Sequence, residues 1–319
     1  MKNLILLALI VAVCGYFGSK FYLHYRVSSG LDNALVMAAP FAQIQYHGVS
    51  SSINGEISVD GITVRMNDFG DPLYIDKLRL ITPGYFFLLN MANLGQSGQD
   101  FEIPDSFGFA VDGVRASTSS DFVRKIFEQG GEREAAADAE TVAAVCTGKY
   151  GFAPQTLQQL GYQDLEVSVS MAYRQDEHNL FLDVAADIVD MYRVNMTVKL
   201  ADRLTQETLM RGNYRPRMSE ARLEYLDLSL NERTASLCAQ QGLSASEILT
   251  AQVDAFAASG LENGLEFDDY VIEPYKEFLS GKSTFVLTAK PSEPISLSQI
   301  GLYKPSDVPA LLNLEGEVQ

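Results

Sequence analysis

From residue 165 onward, apolar side chains recur at every second position. Leu165, Val167, Val169, Met171 and Tyr173 form one set, Leu180, Leu182, Val184 and Ala186 the next, and Val194, Met196, Val198 and Leu200 a third. A period of two places each set on one face of an extended strand. The polar stretch Arg174–Asn179 reads as the turn between the first two, so the pattern predicts an antiparallel meander with one apolar face. After Glu220 the pattern recurs: Ala221, Leu223 and Tyr225 face one way, and Leu226, Leu228 and Leu230 the other. A strand apolar on both faces near its end is expected to be covered there by helices.

Earlier in the chain the alternation is shorter. Gln43–Gly48, Glu56–Met66, Leu73–Ile81 and Phe107–Val114 read as strands, with a polar turn at Asn67–Gly70. In Glu56–Met66 the apolar parity changes across Asp60-Gly61, which predicts a bulge or turn there. Phe86–Met91 is compatible with strand or helix.

Two helical blocks interrupt the strands. In the first, Ser119 or Ser120 caps a helix carrying Phe122, Val123, Ile126 and Phe127. Ala135–Val145 is a second helix and Pro154–Leu160 a third, stopped by Gly161. The later block holds Asn231–Gln241, then a helix opened by the capping box Ser244–Glu247 and ending near Ser259, before Gly260. Tyr270–Leu279 follows. Ser283–Ala289 is a strand, and the proline-bearing tail is expected to wrap the surface in extended and short helical pieces.

The other constraint is the N-terminus. Leu4 to Phe17 runs without a charge, and Lys20 interrupts before Phe21, Tyr22 and Leu23. That run alone spans roughly 21 Å of helix, short of the ~30 Å hydrocarbon core. If Lys20 snorkels, about 20 residues are available and the segment is long enough to span. Phe17, Phe21, Tyr22 and Tyr25 then form an interfacial aromatic belt. A cleaved signal peptide and a lipid-modified Cys14 are the alternatives. No small-x-small site follows the run, and Val13 stands where a small residue is expected before a modified cysteine. The expectation is an uncleaved membrane anchor over 1–26, including Leu4, Phe17, Lys20 and Tyr22. An extracytoplasmic domain over 27–319 follows it. No composition break or low-complexity linker divides the remainder, so the fold class expected is α+β: a transmembrane helix, then one largely antiparallel sheet domain with two inserted helical blocks.

Outside the anchor there are two cysteines, Cys146 and Cys238. In an oxidising compartment such a pair forms one disulfide, closing a loop of about 90 residues worth about 4.5 kcal/mol by chain entropy. Two buried free thiols are the alternative.

Net charge is −17, and residues 1–26 carry three cations and no acid, so the body is more acidic still. Such a body repels phosphate backbones, which argues against nucleic acid as a partner. Ser280-Gly281-Lys282-Ser283 resembles the end of a phosphate-binding loop. It has Lys276 where the pattern needs Gly, and it leads from helix to strand, the reverse of the required order. His24, His47 and His178 lie far apart with no ligand spacing. The acidic group Glu262, Glu266, Asp268, Asp269 and Glu273 lacks the spacing of a calcium loop and reads as a solvated face. No Ser in Gly48–Ser52 has the glycine a nucleophile elbow needs, and the sequon at Asn195 falls inside a predicted strand. The reading is therefore of a non-enzymatic chain with no catalytic residue, metal or cofactor.

The run Tyr46-His47-Gly48-Val49-Ser50-Ser51-Ser52-Ile53-Asn54-Gly55-Glu56-Ile57-Ser58-Val59-Asp60-Gly61-Ile62-Thr63-Val64, following a short N-terminal anchor, resembles the opening of AsmA-like and related single-anchor periplasmic proteins of Gram-negative bacteria. The resemblance covers roughly residues 1–85. It implies a single inner-membrane anchor, a main domain in the periplasm, and stacked amphipathic strands, which in some members form a lipid-carrying groove. The expected function is a membrane-anchored envelope protein that binds or passes lipid along an apolar sheet face. The alternative is a periplasmic module that holds an envelope protein partner near the inner membrane.

Overall fold

The computed structural model describes residues 20–33, 35–52, 54–91, 103–129, 145–147, 153–212 and 214–319. Leu4 and Phe17 of the expected anchor lie outside these residues, as does the helix expected over Ala135–Val145 but for its last residue. Among the described residues no helix is long and apolar enough to cross a membrane. The chain divides into two compact units, Met1–Gly113 and Val114–Gln319. The boundary falls inside a strand, not in a linker.

The first unit opens with helix α1 (20–33). Strands β1 (Ala42–Gln45) and β2 (Gly48–Ser51) pair in succession along one edge of β3 (Glu56–Met66). Strand β4 (Leu73–Ile81) pairs along the other edge. All these pairs are antiparallel, as short polar turns allow. Phe86–Met91, undecided by pattern, belongs to helix α2 (Tyr85–Met91). The core here is small: Leu23 of α1, Ile57 of β3 and Leu88 of α2 bury together, with Val27 one helical turn from Leu23. Strand β5 (Ser106–Ser117) carries the chain across the boundary. Arg79 of β4 donates two hydrogen bonds, 2.6 and 2.8 Å, to Asp112 of β5.

The parity change in β3 does not displace the strand. Gly61 takes φ 62°, and its pairing with β4 has the same register on both sides of it. A left-handed residue reverses the alternation locally without an inserted residue, and only glycine accepts that angle at little cost. The expected bulge is therefore a glycine kink in a continuous strand.

In the second unit, helix α3 (Asp121–Gln129) is capped by Ser120, whose Oγ accepts the Val123 N–H. Helix α4 (Pro154–Gln159) ends before Gly161, which takes φ 88°. Strands β6 (Asp164–Gln175), β7 (Leu180–Ile188) and β8 (Tyr192–Leu200) form the expected meander. After helix α5 (Gln206–Met210), strand β9 (Arg217–Asp227) joins β8. Helices α6 (Leu230–Gln240), α7 (Ala245–Glu262) and α8 (Asp269–Leu279) come next, then strand β10 (Thr284–Ala289) beside β9.

The structure departs from the sequence pattern at three further places. Leu228 and Leu230 do not continue β9; Leu230 opens α6 and is buried around the cysteines. Gly260 does not stop α7, which runs on to Glu262. Gly260 is buried inside the helix, where a Cβ would collide with the Phe267 ring, so the glycine serves close packing. The tail also does more than wrap the surface. After β11 (Ile295–Ser296), α9 (Leu297–Ile300) and α10 (Val308–Leu312), strand β12 (Leu314–Val318) pairs with β10. Val308, Leu312 and Leu314 belong to the main core.

Candidate functional site

Register converts the alternations into rows across the second unit's sheet. One row runs Val169, Ala186, Val194, Tyr225, Phe285; the next runs Met171, Val184, Met196, Leu223, Leu287. A third runs Tyr173, Leu182, Val198, Ala221, Ala289. Directly opposed residues share a face, so the sequence sets combine into one apolar surface.

Its cover is uneven. Toward β10 and β12, Phe285, Ala289 and Leu314 are buried with Val271 and Phe278 of α8 and Val308 and Leu312 of α10. Phe256 of α7 stacks on Tyr275 at 4.0 Å and on Phe267 at 4.7 Å, filling this end. Toward β6 and β8 the same rows emerge: Met171 is 60% exposed, Val169 43% and Met196 37%. Along β6–β8 the opposite face is largely polar, and its charged groups pair with one another. Arg193 pairs with Asp187 at 2.6 Å, Thr197 donates to Asp183 at 2.9 Å, and the Arg174 guanidinium lies 4.0 Å from the Phe181 ring centre.

A second apolar cluster borders the face. Cys146 and Cys238 stand at disulfide distance, with Cα atoms 5.5 Å apart. Leu157, Leu160, Tyr162, Met191, Leu230 and Ile248 bury around them, and Ile188 and Tyr192 pack on from the sheet. Arg233 lies over the Tyr162 ring at 4.3 Å and donates to the Leu160 carbonyl at 3.0 Å, linking α6 to α4. The pair thus ties the segment before α4 to α6.

Next to this cluster a cleft of about 870 Å³ opens among α6, α7 and the turn between α8 and β10. Tyr192 stacks on Tyr225 at 5.4 Å, and Tyr225 meets Phe278 edge-on at 5.5 Å, so an aromatic series leads from the sheet face to the cleft wall. Burial pushes the Tyr192 and Tyr225 hydroxyls up, which keeps both neutral. Asp227, at the cleft rim, is half-buried. Burial pushes its carboxyl up, against the pull of the Asn231 and Leu230 N–H groups.

The residues singled out by sequence are distributed as follows. Lys20 and Tyr22 lie on α1, Tyr22 exposed. His24 is on α1, His47 lies between β1 and β2, and His178 sits in the β6–β7 turn. There Asp176 accepts the His178 and Asn179 N–H groups, which hold its carboxyl below the usual range. Asp268 caps α8 by accepting the Tyr270 N–H, and Glu273 pairs with Lys276 at 2.6 Å. Among the described residues no three His, Cys, Asp or Glu side chains gather as a metal site. Asn195 is exposed on the polar face of β8. Ser280–Ser283 leads from α8 into β10 and lines the cleft. Sequence reasoning missed the cleft, whose one local signal is the pair Ala235 and Ala239, a helical turn apart on α6.

A protein family described as "Uncharacterized protein" matches residues 185–318, from within β7 to β12. The match covers less than half the chain but includes the cleft and the helices that cover the sheet. Comparison with curated proteins finds no match.

Proposed function

We propose that this is a non-enzymatic envelope protein, anchored in the inner membrane by its N-terminal segment, whose second unit binds the acyl portion of a lipid along the β6–β8 face. The observation that carries the reading is the half-exposed apolar surface at Val169, Met171 and Met196. Its rows are continuous with a packed core, while the opposite face along β6–β8 is largely polar. Exposed apolar surface of this kind marks an interaction site. The charge-free run Leu4–Phe17 supports the anchor. The Cys146–Cys238 pair supports an oxidising compartment such as the periplasm. The AsmA-like resemblance of residues 1–85 supports the lipid class.

The test is mass spectrometry of lipid extracted from the full chain purified in mild detergent. Stoichiometric lipid, lost on placing a charge at Met171, is the expected result. A protein free of lipid after reconstitution with an inner-membrane lipid extract overturns the reading. The net charge of −17 favours a second reading, in which the body holds a basic protein partner near the membrane. That partner's binding would weaken steeply with salt.

A further inference from the structure

The cleft among α6, α7 and the α8–β10 turn has its own chemistry, distinct from the sheet face. At about 870 Å³ it is of the size that accommodates small-molecule ligands. Its wall is apolar: Ile248 and Phe278 are buried there and Leu249 is half-buried. Ala235 and Ala239 project only a methyl group each from α6, which leaves the space open. The rim is polar and divided by charge. Asp227 and Glu232 supply carboxylates, and Lys282 and Ser283 supply an ammonium and a hydroxyl. The Asp227 N–H donates to the Ser283 carbonyl at 2.8 Å, so the two kinds of charge sit on adjoining strand ends. Among the described residues neither Glu232 nor Lys282 makes an ion pair or a side-chain hydrogen bond.

A purely cationic guest meets repulsion from Lys282, and a purely anionic one meets repulsion from Asp227 and Glu232. A guest bearing both signs finds a partner for each, and its tail finds the apolar wall. We infer that this cleft binds a zwitterionic amphiphile, with its ammonium toward Asp227 and Glu232, its phosphate toward Lys282 and Ser283, and its chain against Ile248, Leu249 and Phe278. An arriving ammonium also favours the ionised form of the half-buried Asp227 carboxyl, against the effect of burial. The inference goes beyond the sheet-face reading and does not depend on it.

The test is calorimetric titration of the full chain, in non-ionic detergent, with two probes: dihexanoyl phosphoethanolamine and dihexanoyl phosphoglycerol, which lacks the amine. The phosphoethanolamine probe is expected to bind about tenfold more tightly, as one charge-assisted contact supplies. Glu232→Gln and Lys282→Gln sit at exposed positions and leave the core intact. Each is expected to weaken that probe about tenfold. Glu220→Gln, exposed on the polar face of β9 and outside the cleft lining, is expected to leave it unchanged. Equal affinity for the two probes, no binding of either, or unaltered affinity in Lys282→Gln overturns the inference. Loss of binding in Met171→Asp with Lys282→Gln silent also overturns it, and places the amphiphile on the sheet face.

Discussion

Met171 of β6 stands directly opposite Val184 of β7, and Met171 is 60% exposed while the same row reaches Leu287, packed against the helical core. One continuous apolar row is thus covered at one end and open at the other. Met171→Asp removes apolar surface only where it is open. The stability cost is expected to be about 1 kcal/mol or less. Lipid recovered with the purified protein is expected to fall severalfold. A variant that keeps its full lipid load separates the exposed face from function.

The Cys146–Cys238 pair closes a loop across 92 positions. Replacing both cysteines with serine, or reducing the pair, is expected to cost about 2–5 kcal/mol. The chain has no tryptophan, so urea unfolding is best followed by far-UV circular dichroism. Identical midpoints for oxidised and reduced protein would show that the bond contributes nothing to stability.

Burial holds the folded pKa of Asp227 above its unfolded value. The native state therefore keeps a proton that the unfolded chain has released, and stability falls as pH rises through the folded pKa. Asp227→Asn lacks this loss. Its stability relative to the wild type is expected to be higher at about pH 7 than at about pH 3.5, below the unfolded aspartate value. Asp202 shows the opposite sign. Its hydrogen bonds from Arg217, at 2.8 Å each, hold its carboxyl below the usual range. The stabilisation is present above the unfolded pKa and is lost as pH falls through the folded one, so Asp202→Asn costs most at neutral pH. Urea midpoints between about pH 7 and about pH 3.5 check the first slope, and midpoints carried further below the unfolded aspartate value check the second.

Gly55 turns the β2–β3 hairpin at φ 86°, and its carbonyl accepts from the Thr82 N–H at 3.0 Å and the Thr82 Oγ1 at 2.8 Å. A Cβ there would lie 2.6 Å from the Gly84 backbone. Gly55→Ala is expected to destabilise the first unit by about 2–3 kcal/mol, combining left-handed strain with the clash. Gly48→Ala, with open space around it, is expected to cost far less. Thermal melts of the two variants make the comparison, and equal losses would remove the argument.

Much of the second unit is legible in the sequence because its strands are long and strictly alternating. β6, β7 and β8 lie where the period of two places them, and Ser244 and Glu247 form the capping box expected of α7. Glycine misleads where its role is packing. Gly260 has the look of a helix stop, yet it sits inside α7 because Phe267 needs the room. β12 escapes a pattern reading because Gly316 occupies the middle of its apolar phase. That position approaches the backbone of Tyr270 and Val271, where a larger side chain would not fit. The cleft had no single motif to announce it, since its walls come from three separated segments.

By itself the sequence determined which side of β6, β7 and β8 is apolar, because side-chain direction follows from a two-residue period and needs no distant partner. It also determined the Ser244 cap and the β6–β7 turn, which depend on a few adjacent residues. Only the tertiary structure decided how much of the apolar face is covered, since that depends on where the loops bring α7, α8 and α10. It also decided that Cys146 and Cys238 meet. Two cysteines 92 positions apart carry no local signal of contact, and bonding requires that packing bring their Cα atoms to 5.5 Å.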